Sequence, residues 1–173
     1  RDIILWNEDA DEPYAGSIST QGQAFAGTLA VRLDTDDVVR PGDVVRLSEK
    51  KSLVSILYRR GSTSNSLFVT EQCNSLCVMC SQPPRNEDDR WRLEELHRTV
   101  ALIDQDERQL GFTGGEPTLL RHDLSGLLEK CRSLLPHTHL HVLTNGRLFA
   151  NSELAIDLIS AGGSSTVWAV PLY

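Results

Sequence analysis

A chain of 173 residues with 40% hydrophobic side chains is long enough to bury one core of ordinary domain size, and 24 acidic against 17 basic residues leave a formal net charge of -7. That balance argues against nucleic acid or an anionic membrane as the main partner, because both demand clustered Lys and Arg. No apolar run approaches the ~20 residues that span a bilayer, so the cytosol, where thiols stay reduced, is the expected setting.

Up to Arg60 the chain carries short apolar runs at 25–33, 43–47 and 52–58, with Pro41-Gly42-Asp43 as a turn. They predict a small β-rich module over residues 1–62. The segment Gly61-Ser62-Thr63-Ser64-Asn65-Ser66 is small and polar, the composition of a flexible connection, and a second unit is expected over residues 63–173.

From Leu67 onward strand and helix alternate. Short buried strands are expected at 67–70, 110–113, 140–144 and 166–171. Between them an amphipathic helix is expected from Trp91 to Asp104, with Leu93, Leu96, Val100 and Ile103 on one face and Asp88 or Asp89 as its cap. A second helix starts from Asp123 as cap, carries Leu124, Leu127, Leu128, Cys131, Leu134 and Leu135 at helical steps, and ends at Pro136. A third runs from about Ser152 through Leu154, Leu158 and Ile159 to Gly162-Gly163. The acidic runs Glu87-Asp88-Asp89 and 104–107 read as solvated surface.

Strands separated by helices predict an α/β fold with a parallel sheet and right-handed crossovers, and such a sheet gathers its ligand site at the carboxyl ends of its strands. Three unusual stretches fall there: Cys73 to Cys80 after the first strand, Gly114-Gly115-Glu116-Pro117 after the second, and Asn145-Gly146 after the third. A closed structural zinc site needs four ligands, and Cys73, Cys77 and Cys80 supply three. Cys131, on the apolar stripe of the second helix, reads as a small hydrophobe. His137, His139 and His141 alternate at a strand start and read as strand-edge residues, while His97 and His122 have no clustered partners. In a four-iron, four-sulfide cluster each iron takes one outer ligand, so three thiolates leave one iron open. The cysteines alone do not separate zinc from iron–sulfur.

The spacing C-x3-C-x2-C, followed by Gly-Gly-Glu-Pro after the next strand, resembles the radical S-adenosylmethionine (radical SAM) enzymes. The resemblance implies part of a partial (β/α)6 TIM-like barrel, with Cys73, Cys77 and Cys80 holding a [4Fe-4S] cluster whose open iron is chelated by S-adenosylmethionine. It implies an external electron donor and reductive cleavage to methionine and a 5′-deoxyadenosyl radical that takes a hydrogen atom from the substrate. Gly114 and Gly115 are then read as letting backbone approach a ligand, Glu116 as accepting a hydrogen bond from the cofactor's amino group, and Pro117 as completing the segment. Met79 stands where the family usually carries an aromatic residue and is a softer candidate contact for adenine. Asn145 resembles the segment after the third strand, although Asn-Gly is also an ordinary tight turn. Arg85 and Arg147 are candidates to meet the cofactor's carboxylate, with a surface arginine as the simpler reading of each.

More narrowly, Thr70-Glu71-Gln72-Cys73-Asn74, Cys77-Val78-Met79-Cys80-Ser81-Gln82-Pro83-Pro84 and Phe112-Thr113-Gly114-Gly115-Glu116-Pro117 resemble the radical maturases of His-Xaa-Ser peptide systems. That likeness implies a ribosomally made precursor peptide as substrate and companion maturation proteins as partners. The family barrel has six strand–helix units and this chain about half that number, so it is expected to be a portion of a longer enzyme, able to hold a cluster without turnover. An iron–sulfur electron carrier and a zinc-stabilised binding module stand as alternatives.

Overall fold

The computed structural model describes residues 38–48, 53–81 and 83–171, together with the backbone of three short strands, β1 (Ile3–Leu5), β2 (Gly16–Ser19) and β3 (Leu29–Arg32). Strands β4 (Val44–Ser48) and β5 (Leu53–Tyr58) pair antiparallel, β1 joins the other edge of β4, and β2 pairs with β3 in parallel. The expected run at 43–47 is thus β4 and that at 52–58 is β5. Of the run at 25–33, only β3 lies within the described residues. Strands β1 and β2 were not legible in the sequence, because three or four residues are too few to display an alternation.

Beyond residue 65 the sheet is parallel and its strands lie in chain order: β6 (Ser66–Thr70), β7 (Gln109–Gly114), β8 (His139–Leu143) and β9 (Thr166–Ala169). Helices α1 (Trp91–Val100), α2 (His122–Leu134) and α3 (Ser152–Gly162) make the three crossovers. The period-two pattern of the strands decides which face they cover. Leu67 and Val69, Leu110 and Phe112, and Leu140 and Val142 are all buried and join Leu96, Val100, Leu124, Leu127, Leu128, Cys131, Leu154 and Leu158 from the helices in one apolar cluster. Phe68, Gly111, Thr113 and His141, which alternate with them, are only half-buried.

Three local expectations change. Helix α1 stops at Val100, and a turn closed by Leu102 N–H donating to Thr99 O carries Ile103 into the core outside the helix. Arg121, at φ 51, occupies the cap position of α2, because a 3-10 turn at Pro117–Leu120 runs straight into the helix and leaves Asp123 in its first turn. Arg90 holds the corresponding place before α1, with no side-chain cap; Asp88 instead binds Arg90, whose guanidinium and backbone N–H hold the exposed carboxyl down at about 2.

The segment expected as a flexible connection is a hydrogen-bonded turn. The Asn65 amide accepts from Arg59 N–H at 2.9 Å and donates to Arg59 O and the Glu107 carboxylate, each at 2.9 Å, so the turn is fastened to both sides. Val44 and Tyr58 reach across it into the same apolar cluster as the parallel sheet. Beside them the buried Asp43 accepts from the backbone N–H groups of Arg40 and Arg60 and from the Arg59 guanidinium. Among the described residues no helix is long and apolar enough to cross a membrane.

Burial pushes the Cys131 thiol from its ordinary 9.0 up to about 12. Burial, with the hydrogen bond and charge of Glu107 behind it, also raises the Tyr58 hydroxyl above its ordinary 10.0. Above pH 9 the unfolded chain gives up the thiol proton while the native chain keeps it, so stability falls with rising pH, by about 1.4 kcal/mol per pH unit between 9 and 12 for the thiol. Thermal unfolding followed from pH 8 to 11 is expected to show that decline, and Cys131→Ala to flatten its first part; an equally steep decline in the variant would assign it elsewhere.

Candidate cofactor site

The carboxyl ends of β6, β7 and β8 bring the three unusual stretches to one edge. The approach to Cys73 is built first, by Thr70, Glu71 and Gln72. Thr70 Oγ1 donates to the Asp89 carboxylate at 3.0 Å and accepts from Gln72 N–H at 3.0 Å, while Glu71 N–H donates to the same carboxylate at 2.6 Å. Asp89, expected on a solvated face, is therefore buried; a charged group leaves water only when such donors replace its hydration. On the other flank Gly115 N–H donates to Thr70 O at 2.7 Å and Glu116 N–H to Gln72 O at 2.8 Å.

That contact explains the glycine pair. A Cβ on Gly114 would run into the backbone of Thr70, a Cβ on Gly115 would overlap the carbonyl of Gln72, and Gly114 also has φ +131, which L side chains rarely adopt. The sequence suggested close approach to a ligand; the close approach in the structure is to the segment leading into Cys73.

Glu116 is held within the protein. It is fully buried, and its carboxylate is turned onto the protein instead of outward. Oε1 accepts from Thr118 N–H at 3.1 Å, Thr118 Oγ1 at 2.6 Å and Thr144 Oγ1 at 2.6 Å; Oε2 accepts from Asn145 N–H at 2.6 Å. Pro117 is buried at the first position of the 3-10 turn, where its missing N–H costs nothing. The outward-facing part of the Gly-Gly-Glu-Pro segment is backbone: Gly115 lines a cavity of about 210 Å³ together with Phe68, Glu71, Ser81, Pro83 and Arg85.

Cys73 is half-buried, and Cys77 and Cys80 are exposed, with Cys80 N–H donating to Cys77 O at 3.0 Å in a turn. Met79 between them is 65% exposed. Among the described residues no three His, Cys, Asp or Glu side chains are gathered as a metal site, so Cys73, Cys77 and Cys80 share a loop without converging on one point. As a donor set they fit a cluster that takes three soft sulfur ligands and keeps one iron free: all three come from one accessible loop, and Cys131 is sealed in the core. His137 and His139 sit at the start of β8, the opposite edge of the sheet, and His122 pairs with Asp157 of α3 at 3.2 Å.

Asn145 and Arg147 turn toward the cysteine loop. Asn145 Nδ2 donates to Asn74 Oδ1 at 2.7 Å, and Arg147 Nη1 donates to Asn74 O at 2.9 Å and Ser75 Oγ at 3.2 Å. Arg85, 64% exposed in its side chain, pairs with Glu71 at 3.4 Å. The roles of Asp89, Thr70, Asn74 and Ser75 were missed in the sequence, since each is a common polar residue whose partner lies far along the chain.

The three stretches meet at the carboxyl edge of a parallel sheet, where α/β folds gather their ligand sites, and the three-thiol loop is one of them. A family profile, Radical SAM superfamily, matches residues 67–171, and the chain belongs to that superfamily. Its cofactors are accordingly a [4Fe-4S] cluster and S-adenosylmethionine. The chain is 34% identical over 85 residues to a GTP 3′,8-cyclase of Haemophilus influenzae strain PittEE, covering 46% of this chain and 25% of the relative. It is 35% identical over 98 residues to the GTP 3′,8-cyclase of Streptomyces coelicolor strain A3(2), covering 51% of this chain and 28% of the relative. The match thus spans about a quarter of the length of these curated relatives. No solved structure matches the chain at a comparable level.

Glu116→Gln is expected to lower stability by about 2 kcal/mol, because either orientation of the amide sets its NH2 group against a backbone N–H, that of Thr118 or of Asn145. Denaturant unfolding monitored by circular dichroism measures this; an unchanged midpoint would mean the buried network tolerates a donor.

Proposed function

We propose that this chain is the cofactor-binding part of a radical SAM enzyme that modifies a ribosomally made peptide. The observation that carries the first half of this reading is the accessible three-thiol loop anchored at the carboxyl edge of the parallel sheet. When bound, the cluster and S-adenosylmethionine supply one-electron reductive cleavage of the sulfonium and hence a radical able to take a hydrogen atom. Cys73, Cys77 and Cys80 would hold the iron. Gly114, Gly115, Glu116 and Pro117 would form the wall beside it, with backbone facing out and the Glu116 carboxylate bracing from behind. Met79, exposed between two of the thiols, would meet adenine, and Asn145 would act at the edge of the same site. In this reading the four parallel strands are the first part of the partial barrel, residues 1–62 are a β-rich module before it whose Val44 and Tyr58 pack into the same core, and an external donor supplies the electron.

The peptide half rests on the resemblance of residues 70–84 and 112–117 to the His-Xaa-Ser maturases, and with it come the precursor peptide and companion maturation proteins as partners. A nucleotide substrate is the second reading, favoured by the similarity to the two GTP 3′,8-cyclases. Calorimetric titration of the reconstituted protein with a synthetic His-Xaa-Ser peptide and with GTP separates them: saturable binding of the peptide alone supports maturation, and binding of GTP alone replaces it with nucleotide chemistry.

Anaerobic reconstitution with iron and sulfide is expected to give a reduced four-iron electron paramagnetic resonance signal that shifts on adding S-adenosylmethionine. Replacement of any one of Cys73, Cys77 or Cys80 by Ala should abolish it, whereas Cys131→Ala should retain it. Tightly bound zinc with no cluster would sink the proposal.

A further inference from the structure

We infer that Asn145 and Arg147 are positioning residues for the cluster, a clamp from the end of β8 that fixes Cys73, the half-buried thiol of the three in the loop; the inference rests on the reading of the cysteines as cluster ligands. Both chain neighbours of Cys73 are fastened from outside the loop. On its N-terminal side, Gln72 O accepts from Glu116 N–H at 2.8 Å. On its C-terminal side, Asn74 Oδ1 accepts from Asn145 Nδ2 at 2.7 Å, and Asn74 O accepts from Arg147 Nη1 at 2.9 Å. Ser75 Oγ takes a weaker share of both donors, at 3.3 and 3.2 Å.

The clamp is itself built. Arg147 N–H donates to Asn145 Oδ1 at 3.0 Å, which orients the Asn145 amide so that its NH2 group points at the cysteine loop. Gly146, between the two at φ +71, supplies the bend that lets the side chains on either side of it reach the same target, and Thr144 Oγ1 accepts from its N–H at 3.1 Å. Asn145 N–H is held by the buried Glu116 carboxylate. Glu116 is therefore in contact with both flanks of Cys73, through its own N–H on one side and through Asn145 on the other. The loop past Ser75 differs: Leu76 and Val78 are exposed at 88% and 107%, and no such clasp is present on either side of Cys77 among the described residues.

Site-resolved alkylation of the metal-free protein with iodoacetamide, read by mass spectrometry, tests this without a cluster. Cys73 is expected to react several-fold more slowly than Cys77 and Cys80, and both Asn145→Ala and Arg147→Ala are expected to speed Cys73 by about three- to tenfold while leaving the other two unchanged. Using an uncharged and a charged member of the clamp separates position from charge. An unchanged Cys73 rate in both variants, an effect of the arginine variant alone, or equal acceleration at all three cysteines would overturn the inference. Reconstitution then supplies a spectroscopic readout: the reduced cluster signal should broaden in both variants, and Arg147→Lys should restore it only in part, because an ammonium cannot reproduce the planar fork. The two readings fail separately, since a wild-type protein that takes up no iron and sulfide would remove the functional proposal while the alkylation rates still judge the clamp.

Discussion

The buried carboxylate of Glu116 is the point on which the edge of this sheet depends. It lies where β7 ends, yet its partners are in its own turn, at Thr118, and at the end of the next strand, at Thr144 and Asn145. A charged group with no exposed surface is costly unless its lone pairs are met, and here four donors meet them. Loops that would otherwise leave the sheet independently are thus tied at one carboxylate.

From that tie the rest of the site follows outward. Backbone N–H groups of Gly115 and Glu116 seize the carbonyls of Thr70 and Gln72, which is possible only because two glycines bring main chain against main chain. Asp89 secures the same segment from the start of α1, and Arg92 extends the arrangement by pairing with Glu71 and lying over the rings of Phe68 and Trp91. The approach to the first cysteine is therefore braced from helix and sheet alike before any cofactor is considered. Superfamily membership supplies the chemistry, and the bracing says which part of the loop is prepared for it.

The sequence disclosed the large-scale plan because that plan is written in local periodicity. Leu110 and Phe112, or Leu124, Leu127, Leu128 and Cys131, announce a strand and a helix face by spacing alone, and β6 to β9 and α1 to α3 lie within a few residues of where that spacing put them. The cysteines and the Gly-Gly-Glu-Pro segment stood out in the sequence for a similar reason: they are rare residues at short intervals. What stayed hidden was every role set by a distant partner. The bracing contacts of Glu116 had no local sign, Asp89 looked solvated and is buried, Arg147 is exposed as a surface arginine and also reaches Asn74, and Asn65 looked like linker and is a fastener. Polar residues carry no periodic signature, so nothing local distinguishes a Thr that donates to a buried carboxylate from one in water.

The division among the four thiols has a bearing on how such a molecule ages in air. Cys131 is packed among leucines and keeps its proton to about pH 12, whereas Cys77 and Cys80 stand exposed in the same loop as Cys73. An oxidant therefore meets the sulfurs of the loop long before it meets the one in the core. On the proposed reading of the loop as the iron site, damage would accumulate as correctly folded protein that has lost its capacity for iron, a population that spectroscopy of the fold would count as intact.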